Sequence, residues 1–492
     1  MYISKNDDTI CAPATIPGTG AISIIRVSGS EAINAADRIV RCRQGRLADA
    51  PGYSIRFGIV TDGDEPVDEV LVSVFRAPHS YTGEDSVEIS CHASSFIVSR
   101  IIDLLRMCGI RSAEPGEFTQ RAYVNGKMDL AQAEAVADVI ASQNAAAHKI
   151  AFRQMKGGFS SELASMRSSL LEIVSLMELE LDFSEEDVEF ADRSRLRELL
   201  DATLDHITRL IDSFKAGNAI KNGVPVAIAG ATNTGKSTLL NALLGEERAI
   251  VSDIHGTTRD TIEETLNIEG ILFRFIDTAG IRETDETVER IGIERTIRKV
   301  SKASVVLAML DLTRSMEENT ESLEIILGQI NLDEQKLIIL LNKKDSLSPN
   351  NFVIIKNQIV LFIENKQINQ HEAETSLPKE TEAENISGTL IIPISAKSGE
   401  GINALKSALA TSQKDLLRDS EATLVTNSRH IDSLASARTS LLRVRSGLDT
   451  SLPTDLISQD IRETLHHLGT ITGDITTDEV LGSIFSRFCI GK

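Results

Sequence analysis

The chain contains no tryptophan and only 4 tyrosines in 492 residues, and aromatic residues make up 4% of it. That shortage, beside abundant Ala, Leu, Ile and Glu, suits a largely helical and α/β protein, long enough for about three domains with ample cores. Cysteine is scarce too. The 5 present (Cys11, Cys42, Cys91, Cys108 and Cys489) are odd in number and show no C-x-x-C or zinc spacing, which argues against a disulfide framework and for a reducing, cytoplasmic setting. Positive charge is in deficit: 51 Lys and Arg face 72 Asp and Glu, a net charge of -21. This excludes an extended surface for coating nucleic acid and makes any RNA contact local. No apolar run approaches the roughly 20 residues of a membrane span, and the opening MYISKNDDTICAP lacks a basic region followed by an apolar core. A soluble, cytoplasmic protein without a membrane partner is expected.

What the sequence does contain is five short strings in a fixed order: GATNTGKS (Gly230 to Ser237), GTTRD (Gly256 to Asp260), DTAG (Asp277 to Gly280), NKKD (Asn342 to Asp345) and SAK (Ser395 to Lys397). The first follows the apolar, strand-like Val224 to Ala229 and precedes the helix-like Ser237 to Leu244, closed by Gly245. A phosphate cradle requires that strand, loop and helix context. Gly230 and Gly235 let the backbone curl so that N–H groups, including those of Asn233, Thr234 and Thr238, face phosphate oxygens at a helix N-terminus. Lys236 neutralises the β- and γ-phosphates. Ser237 and Thr258 offer hydroxyls to Mg²⁺, and Asp277, after the strand-like Ile271 to Ile276, holds the metal's water shell, with Thr278, Ala279 and Gly280 completing that string.

Base identity is read from the last two strings. A carboxylate on Asp345 accepts from the ring N–H and the exocyclic amine of guanine, and adenine has no amine there. Asn342 and Lys343 buttress and cover the base. Ser395, Ala396 and Lys397 close it, the Ala396 N–H being placed to donate to the guanine carbonyl. The nucleotide is therefore GTP, in a P-loop GTPase domain. Two parts are missing. The residue after DTAG is Ile281, which cannot hydrogen-bond an attacking water, so the base comes from elsewhere, the acidic stretch Arg282 to Arg290 being the nearest supply. No arginine finger is evident; Asn233 could instead help hold a monovalent cation, or could simply stabilise its loop.

Around this domain the pattern changes twice. Up to about residue 120, strand-like runs (Ala21 to Val27, Glu69 to Phe75, Ser86 to Ile89) and a helix-like Phe96 to Cys108 indicate an α+β domain. From Leu130 to Lys215 the periodicity is helical; it stops at Ala216-Gly217-Asn218 and resumes after about residue 412, to roughly Phe488. A helical domain built from both flanks, carrying the GTPase as an insertion, explains this. The expected domains are 1–120, 121–217 with 412–492, and 218–411. The polar segment Glu364 to Gly388 has almost no apolar periodicity and reads as a flexible surface excursion.

Together these residues closely resemble the tRNA modification GTPase family MnmE, also called TrmE. The resemblance spans nearly the whole chain and also rests on DTICAPATIPGTGAISIIRVSG (Asp8 to Gly29), SYTGEDSVEI (Ser80 to Ile89), PGEFTQRAYVNGKMDLAQAEAVADVI (Pro115 to Ile140), DTAGIRETDETVERIGIER (Asp277 to Arg295) and FSRFCIGK (Phe485 to Lys492). It implies an N-terminal tetrahydrofolate-binding and dimerising α+β domain, a discontinuous helical domain and an inserted Ras-like GTPase domain. It also implies a homodimer that forms a heterotetramer with the flavin-containing MnmG (GidA). With GTP, Mg²⁺ and K⁺, such an assembly adds an aminomethyl or carboxymethylaminomethyl group to carbon 5 of the wobble uridine of certain tRNAs. The one-carbon unit comes from a 5-formyl- or 5,10-methylene-tetrahydrofolate. By the resemblance, the potassium ligands fall on Asn233, Ser252, Ile254 and Thr257 and the catalytic glutamate on Glu289. The folate contacts fall on Arg26, Glu88, Lys127 and Lys492, and Cys489 lies near the folate as a catalytic candidate whose thiolate could take part in the modification chemistry. Read alone, Arg26 and Lys127 are ordinary surface charges, and Cys489 is a thiol packed near Phe485 and Phe488; the ending is also a poor match to a prenylation box.

Four departures from the family pattern stand out: Ala231-Thr232 where a basic residue and a proline are usual, Ala93-Ser94-Ser95 after His92, His255 beside the cation loop, and the length of the polar excursion. None removes an expected ligand. A GTP-dependent assembly switch or ribosome-associated switch without one-carbon chemistry is the rival reading, and a membrane-bound regulator a weaker one.

Overall fold

The computed structural model describes residues 8–182, 193–245, 264–276, 300–301, 303–366, 383–386, 389–413, 423–450, 452–486 and 488–491. They divide into two compact units, Met1–Ala141 with Ala151–Ile211 and Ser428–Lys492 in the first, and Ser142–Ile150 with Asp212–Asn427 in the second.

The first unit begins with β1 (Ile10–Pro13), β2 (Gly20–Ser28), α1 (Ala32–Ile39), β3 (Val40–Cys42), β4 (Ser54–Asp62), β5 (Glu65–Phe75), β6 (Ser86–Ala93), α2 (Ser95–Met107) and β7 (Arg111–Ser112). The strands form one sheet in the order β3-β4-β5-β6-β2-β1-β7, antiparallel except where β1 meets β7. Period-two alternation assigns its faces: Val70, Val72 and Val74 are buried while Leu71 between them is exposed. The buried face packs on Ala32 and Ala36 of α1 and Ile101 and Leu105 of α2, making the core of an α+β domain. Helices α3 (Glu117–Val124), α4 (Leu130–Ala141), α5 (Ala145–Met155), α6 (Gly158–Asp182) and α7 (Arg193–Asn222) follow.

Helical character does not stop at Ala216-Gly217-Asn218, as the sequence leads one to expect; α7 continues through them to Asn222. Gly217 is there for packing, since a Cβ on it would lie 2.3 Å from the Val425 carbonyl oxygen. The break falls at Gly223, whose φ of +85° suits only glycine without strain.

The second unit holds β8 (Val224–Ala229), α8 (Lys236–Leu244), β9 (Glu264–Ile268), β10 (Ile271–Phe275), β11 (Val305–Asp311), α9 (Met316–Leu327), β12 (Lys336–Asn342), α10 (Pro349–Asn365), β13 (Glu384–Ile386), β14 (Thr389–Pro393) and α11 (Ile402–Ser412). Its sheet runs β13-β14-β12-β11-β8-β10-β9, parallel except for the edge pairs β9/β10 and β13/β14. Every residue of β11 is buried, as expected of a parallel strand covered on both faces. Leu239 and Leu243 of α8 and Leu405 and Leu409 of α11 cover one face, and Leu323 of α9 with Phe352 and Ile359 of α10 cover the other. The chain leaves β8 between β10 on one side and β11 on the other, a switch point where doubly wound sheets open a crevice beyond the carboxyl ends of their strands. Within the polar excursion, α10 reaches Asn365, and β13, the edge strand of the sheet, pairs with β14.

Helices α12 (Ser428–Asp449), α13 (Thr454–Thr472) and α14 (Asp478–Phe485) return to the first unit. Leu434, Leu441 and Val444 of α12 and Ile461 and Leu468 of α13 are fully buried. A buried ionic brace joins the distant flanks of the sequence. Glu134 of α4 accepts hydrogen bonds from Arg429 Nε (3.0 Å) and His430 Nε2 (2.6 Å) of α12, and Arg429 also donates to the carbonyls of Thr470 and Ile471 at the end of α13. Burial alone would raise the Glu134 pKa, but the hydrogen bonds and charges of His430 and Arg429 outweigh it and bring it down to about 2. Among the described residues, no helix is long and apolar enough to cross a membrane.

Candidate functional site

The loop after β8 is shaped by contacts that leave no room for side chains at two positions. A Cβ on Gly230 would sit 2.4 Å from the Met309 carbonyl, and one on Gly235 would sit 2.5 Å from Asn342 Nδ2, where φ is also +99°. Between them Asn233 is left-handed, with φ of +59° and an exposed side chain. Gly235 caps α8, so the helix N-terminus opens into the loop. Lys236 Nζ donates to the carbonyls of Gly230 (2.9 Å) and Ala231 (2.7 Å), and Thr234 Oγ1 donates to the same Ala231 oxygen. The amine is therefore held at the mouth of the loop, where a phosphate oxygen could replace those carbonyls.

The carboxyl ends of β11, β12 and β14 supply the rest. Asp311 and Asn342 are register partners at the ends of β11 and β12. Asn342, 2% exposed, donates through Nδ2 to the Thr234 carbonyl (2.7 Å) and accepts through Oδ1 from the Ala396 N–H (3.0 Å). The buried amide thus pins the phosphate loop to the SAK turn. The Ala396 N–H, expected to face the guanine carbonyl, is donated here to the Asn342 amide. Ser395 is buried in a turn bridged to Glu400, and its hydroxyl accepts from the Ser398 N–H; Lys397 is exposed. Lys343, left-handed at φ of +66°, pairs through Nζ with Asp311 Oδ2 at 2.6 Å. Asp345 is exposed on a single 3-10 turn, Lys344–Ser346.

Asp311 and Arg314 escape the motif strings. Asp311 is buried at the end of an apolar strand and accepts from Thr313 N and Oγ1 as well as from Lys343. Burial pushes its carboxyl up, but those hydrogen bonds prevail and hold it below the usual carboxylate range. Arg314 donates to the Thr232 carbonyl at 2.6 Å. The available signal was DLTRS directly after a continuous apolar run, an acid where a parallel strand opens onto the crevice.

The cradle fits a nucleotide, since its glycines are required by close backbone approach and its lysine turns inward. Ser237 is half-buried at the start of α8, and Thr238 is exposed. Ser252, Ile254, Thr257, Thr258, Asp277, Thr278, Ala279, Gly280, Glu289 and Lys492 lie outside the described residues.

In the first unit, Arg26 and Glu88 are directly opposed on β2 and β6, with Arg26 Nε and Nη2 both donating to Glu88 Oε1 at 2.9 and 2.8 Å. The guanidinium lies 5.4 Å from the Tyr81 ring and 5.7 Å from the Phe118 ring, and it also reaches the Gly491 carbonyl. The pair is half-buried, with the Tyr81 ring exposed beside it and the Phe118 ring fully buried beneath it. A Cβ on Gly491 would lie 2.1 Å from the Pro13 carbonyl, so the tail is packed on β1 beside Arg26. Lys127 is exposed, its Nζ donating to the Pro78 carbonyl. Cys489 is not packed against Phe485 and Phe488 as an apolar thiol: it is exposed, while both rings are buried. Its backbone carbonyl accepts from Gly116 N at 3.5 Å.

Comparison with known proteins agrees in both units. The family described as GTP-binding protein TrmE N-terminus matches residues 9–127, and the MnmE helical domain family matches residues 130–489. The chain is 50% identical over 489 residues to the tRNA modification GTPase MnmE of Bacteroides thetaiotaomicron, covering 99% of this chain and 100% of that protein. It is 49% identical over 492 residues to the protein of the same name from Flavobacterium johnsoniae, at 99% and 100% coverage. A crystal structure of Era with MgGDPNP and a segment of 16S ribosomal RNA is similar at 26% identity and a TM-score of 0.27, covering 44% of this chain and 66% of that one.

Proposed function

The chain belongs to the MnmE (TrmE) family of tRNA modification GTPases, and from that premise we propose that it spends GTP hydrolysis on modifying the wobble uridine of certain tRNAs. The observation that carries the GTPase part is the convergence of Lys236, Asn342, Lys343 and the SAK turn at the carboxyl ends of four parallel strands. Asp345 selects guanine. Lys236 leaves the Gly230 and Ala231 carbonyls for the β- and γ-phosphates, and Ser237 and Thr258 hold Mg²⁺. Glu289 orients the attacking water through a second water, which makes sense of Ile281. The neutral oxygens of Asn233, Ser252, Ile254 and Thr257 suit a potassium ion. Bound there, the metal ions supply the positive charge that an arginine finger gives elsewhere.

In the first unit, Arg26, Glu88, Lys127 and Lys492 hold a 5-formyl- or 5,10-methylene-tetrahydrofolate, Arg26 and Glu88 meeting the same end of it because they are paired at 2.8 Å, with Cys489 exposed nearby. The half-buried Arg26 and Glu88 pair supports this. The product is a uridine bearing an aminomethyl or carboxymethylaminomethyl group at carbon 5. The working form is a cytoplasmic homodimer that joins the flavin-containing MnmG in a heterotetramer. Domains 1–120, 121–217 with 412–492, and 218–411 divide this labour. Mass spectrometry of wobble uridine in cells lacking the protein tests the whole reading: loss of the modified base is expected, and an unchanged nucleoside profile favours the assembly-switch alternative.

A further inference from the structure

A loop that aims its N–H groups at phosphates aims its carbonyls outward, where each is met by water or by a protein donor that also fixes its direction. In the phosphate loop these donors are known by name: Lys236 for Gly230 and Ala231, Asn342 for Thr234, and the Leu239 N–H for Gly235. Thr232 depends on Arg314, at 2.6 Å. Neither Ala231 nor Thr232 carries a charge or a ring that fixes φ, and the restraint the loop's own sequence provides is the Thr234 hydroxyl on the Ala231 carbonyl, which leaves Thr232 to a donor from elsewhere. Once Lys236 turns to a phosphate, the Gly230 and Ala231 carbonyls lose that donor, Ala231 keeps the Thr234 hydroxyl, and among the described residues Arg314 and Asn342 are the side chains that hold the loop from outside it.

Arg314 is itself aimed. Its backbone N–H donates to the Asp311 carbonyl at 3.0 Å, and its Nε lies 3.8 Å from Asp311 Oδ2, the oxygen that also holds Lys343. We infer that Arg314 is a positioning residue for hydrolysis. It holds the Thr232 carbonyl outward, so that the next residue, Asn233, keeps its left-handed conformation, and it couples the phosphate loop through Asp311 to the lysine that covers the base. The consequence for potassium rests on the role proposed above for Asn233; the consequence for the loop does not.

The test uses the full-length chain carrying Arg314→Ala or Arg314→Lys. Arg314→Ala should lower kcat about tenfold, the size of one charge-assisted hydrogen bond, while KM for GTP stays within about threefold. It should speed hydrogen exchange of the 230–237 amides in the GDP-bound state, and raise about tenfold the potassium concentration that gives half-maximal rate. Arg314→Lys, which retains the charge, should restore most of kcat and of the protection. Unchanged exchange in Arg314→Ala, or a lysine variant no better than alanine, overturns the inference. If Asn233→Ala leaves the potassium response untouched, the potassium site is what fails, and the exchange of the loop still reports on Arg314.

Discussion

Replacing Asn342 with alanine removes the amide that joins two loops in the interior of the nucleotide site. The parent side chain, 2% exposed, satisfies the Thr234 carbonyl at 2.7 Å and the Ala396 N–H at 3.0 Å. Both residues are themselves buried, so truncation leaves an acceptor and a donor without partners. Each such orphan costs about 1–3 kcal/mol. Water entering the space vacated by the side chain recovers part of that, which sets the net loss near the lower end, about 2 kcal/mol. Since the two loops define the phosphate and base ends of the same pocket, the loss should fall on nucleotide binding, weakening GDP about thirtyfold. Stopped-flow displacement of a fluorescent GDP analogue from the full-length protein measures this, with far-ultraviolet circular dichroism to show that the helices are retained. Asn342→Asp keeps an acceptor for Ala396 but turns a carboxylate oxygen toward the Thr234 carbonyl, and should bind no better than the alanine variant. Affinities within about threefold of the parent for both variants would refute the reasoning, because the loop would then be organised by the nucleotide and not by the amide.

Hydrolysis should be faster in potassium than in sodium, and Asn233→Lys, which places a fixed ammonium where the ion is proposed to sit, should erase the difference; equal parent rates in the two salts count against the cation site. Glu289→Ala should bind GTP normally and lose most turnover, and an unaffected rate moves the base to Asp285 or Glu286. Glu134→Gln should destabilise the helical region by about 3 kcal/mol, since it leaves Arg429 and His430 without their buried carboxylate. The sign with pH follows from a folded pKa of about 2 below an ordinary value of 4.5: the contribution of Glu134 is complete above pH 4.5 and is lost as pH falls toward 2. Urea unfolding followed by circular dichroism should therefore show the gap between parent and Glu134→Gln closing on acidification, and a gap independent of pH would mean that Glu134 is not ionised there.

Legibility in the sequence tracked how local each signal is. The strand, loop and helix from Val224 to Leu244 are fixed by neighbours in the chain: an apolar run, glycines at two tight points, then a helix-forming stretch. The α+β sheet is legible from the apolar runs of β2 and β5 and the alternation of β6 for the same reason, although β6 extends four residues past the expected Ile89, to Ala93. Tertiary causes were opaque. Gly217 looks like a stop, but it is a packing residue under Val425, more than two hundred positions away. Arg314 looks like an ordinary polar residue before a helix until Thr232 is placed beside it. Cys489, beside two buried rings, looks apolar in the sequence, yet its side chain is exposed. Glu134, Arg429 and His430 lie in separate flanks, and no periodicity announces that they meet.

The central claim is that Asp345, exposed at the mouth of the crevice, chooses the base by accepting two hydrogen bonds. Titrating the parent chain and Asp345→Asn with GTP and with xanthosine triphosphate tests it directly, because xanthine presents a carbonyl where guanine presents an amine. The parent should prefer GTP by about a hundredfold or more, and the variant should reverse that order. A variant that still binds GTP as tightly as the parent would contradict the assignment of the whole site.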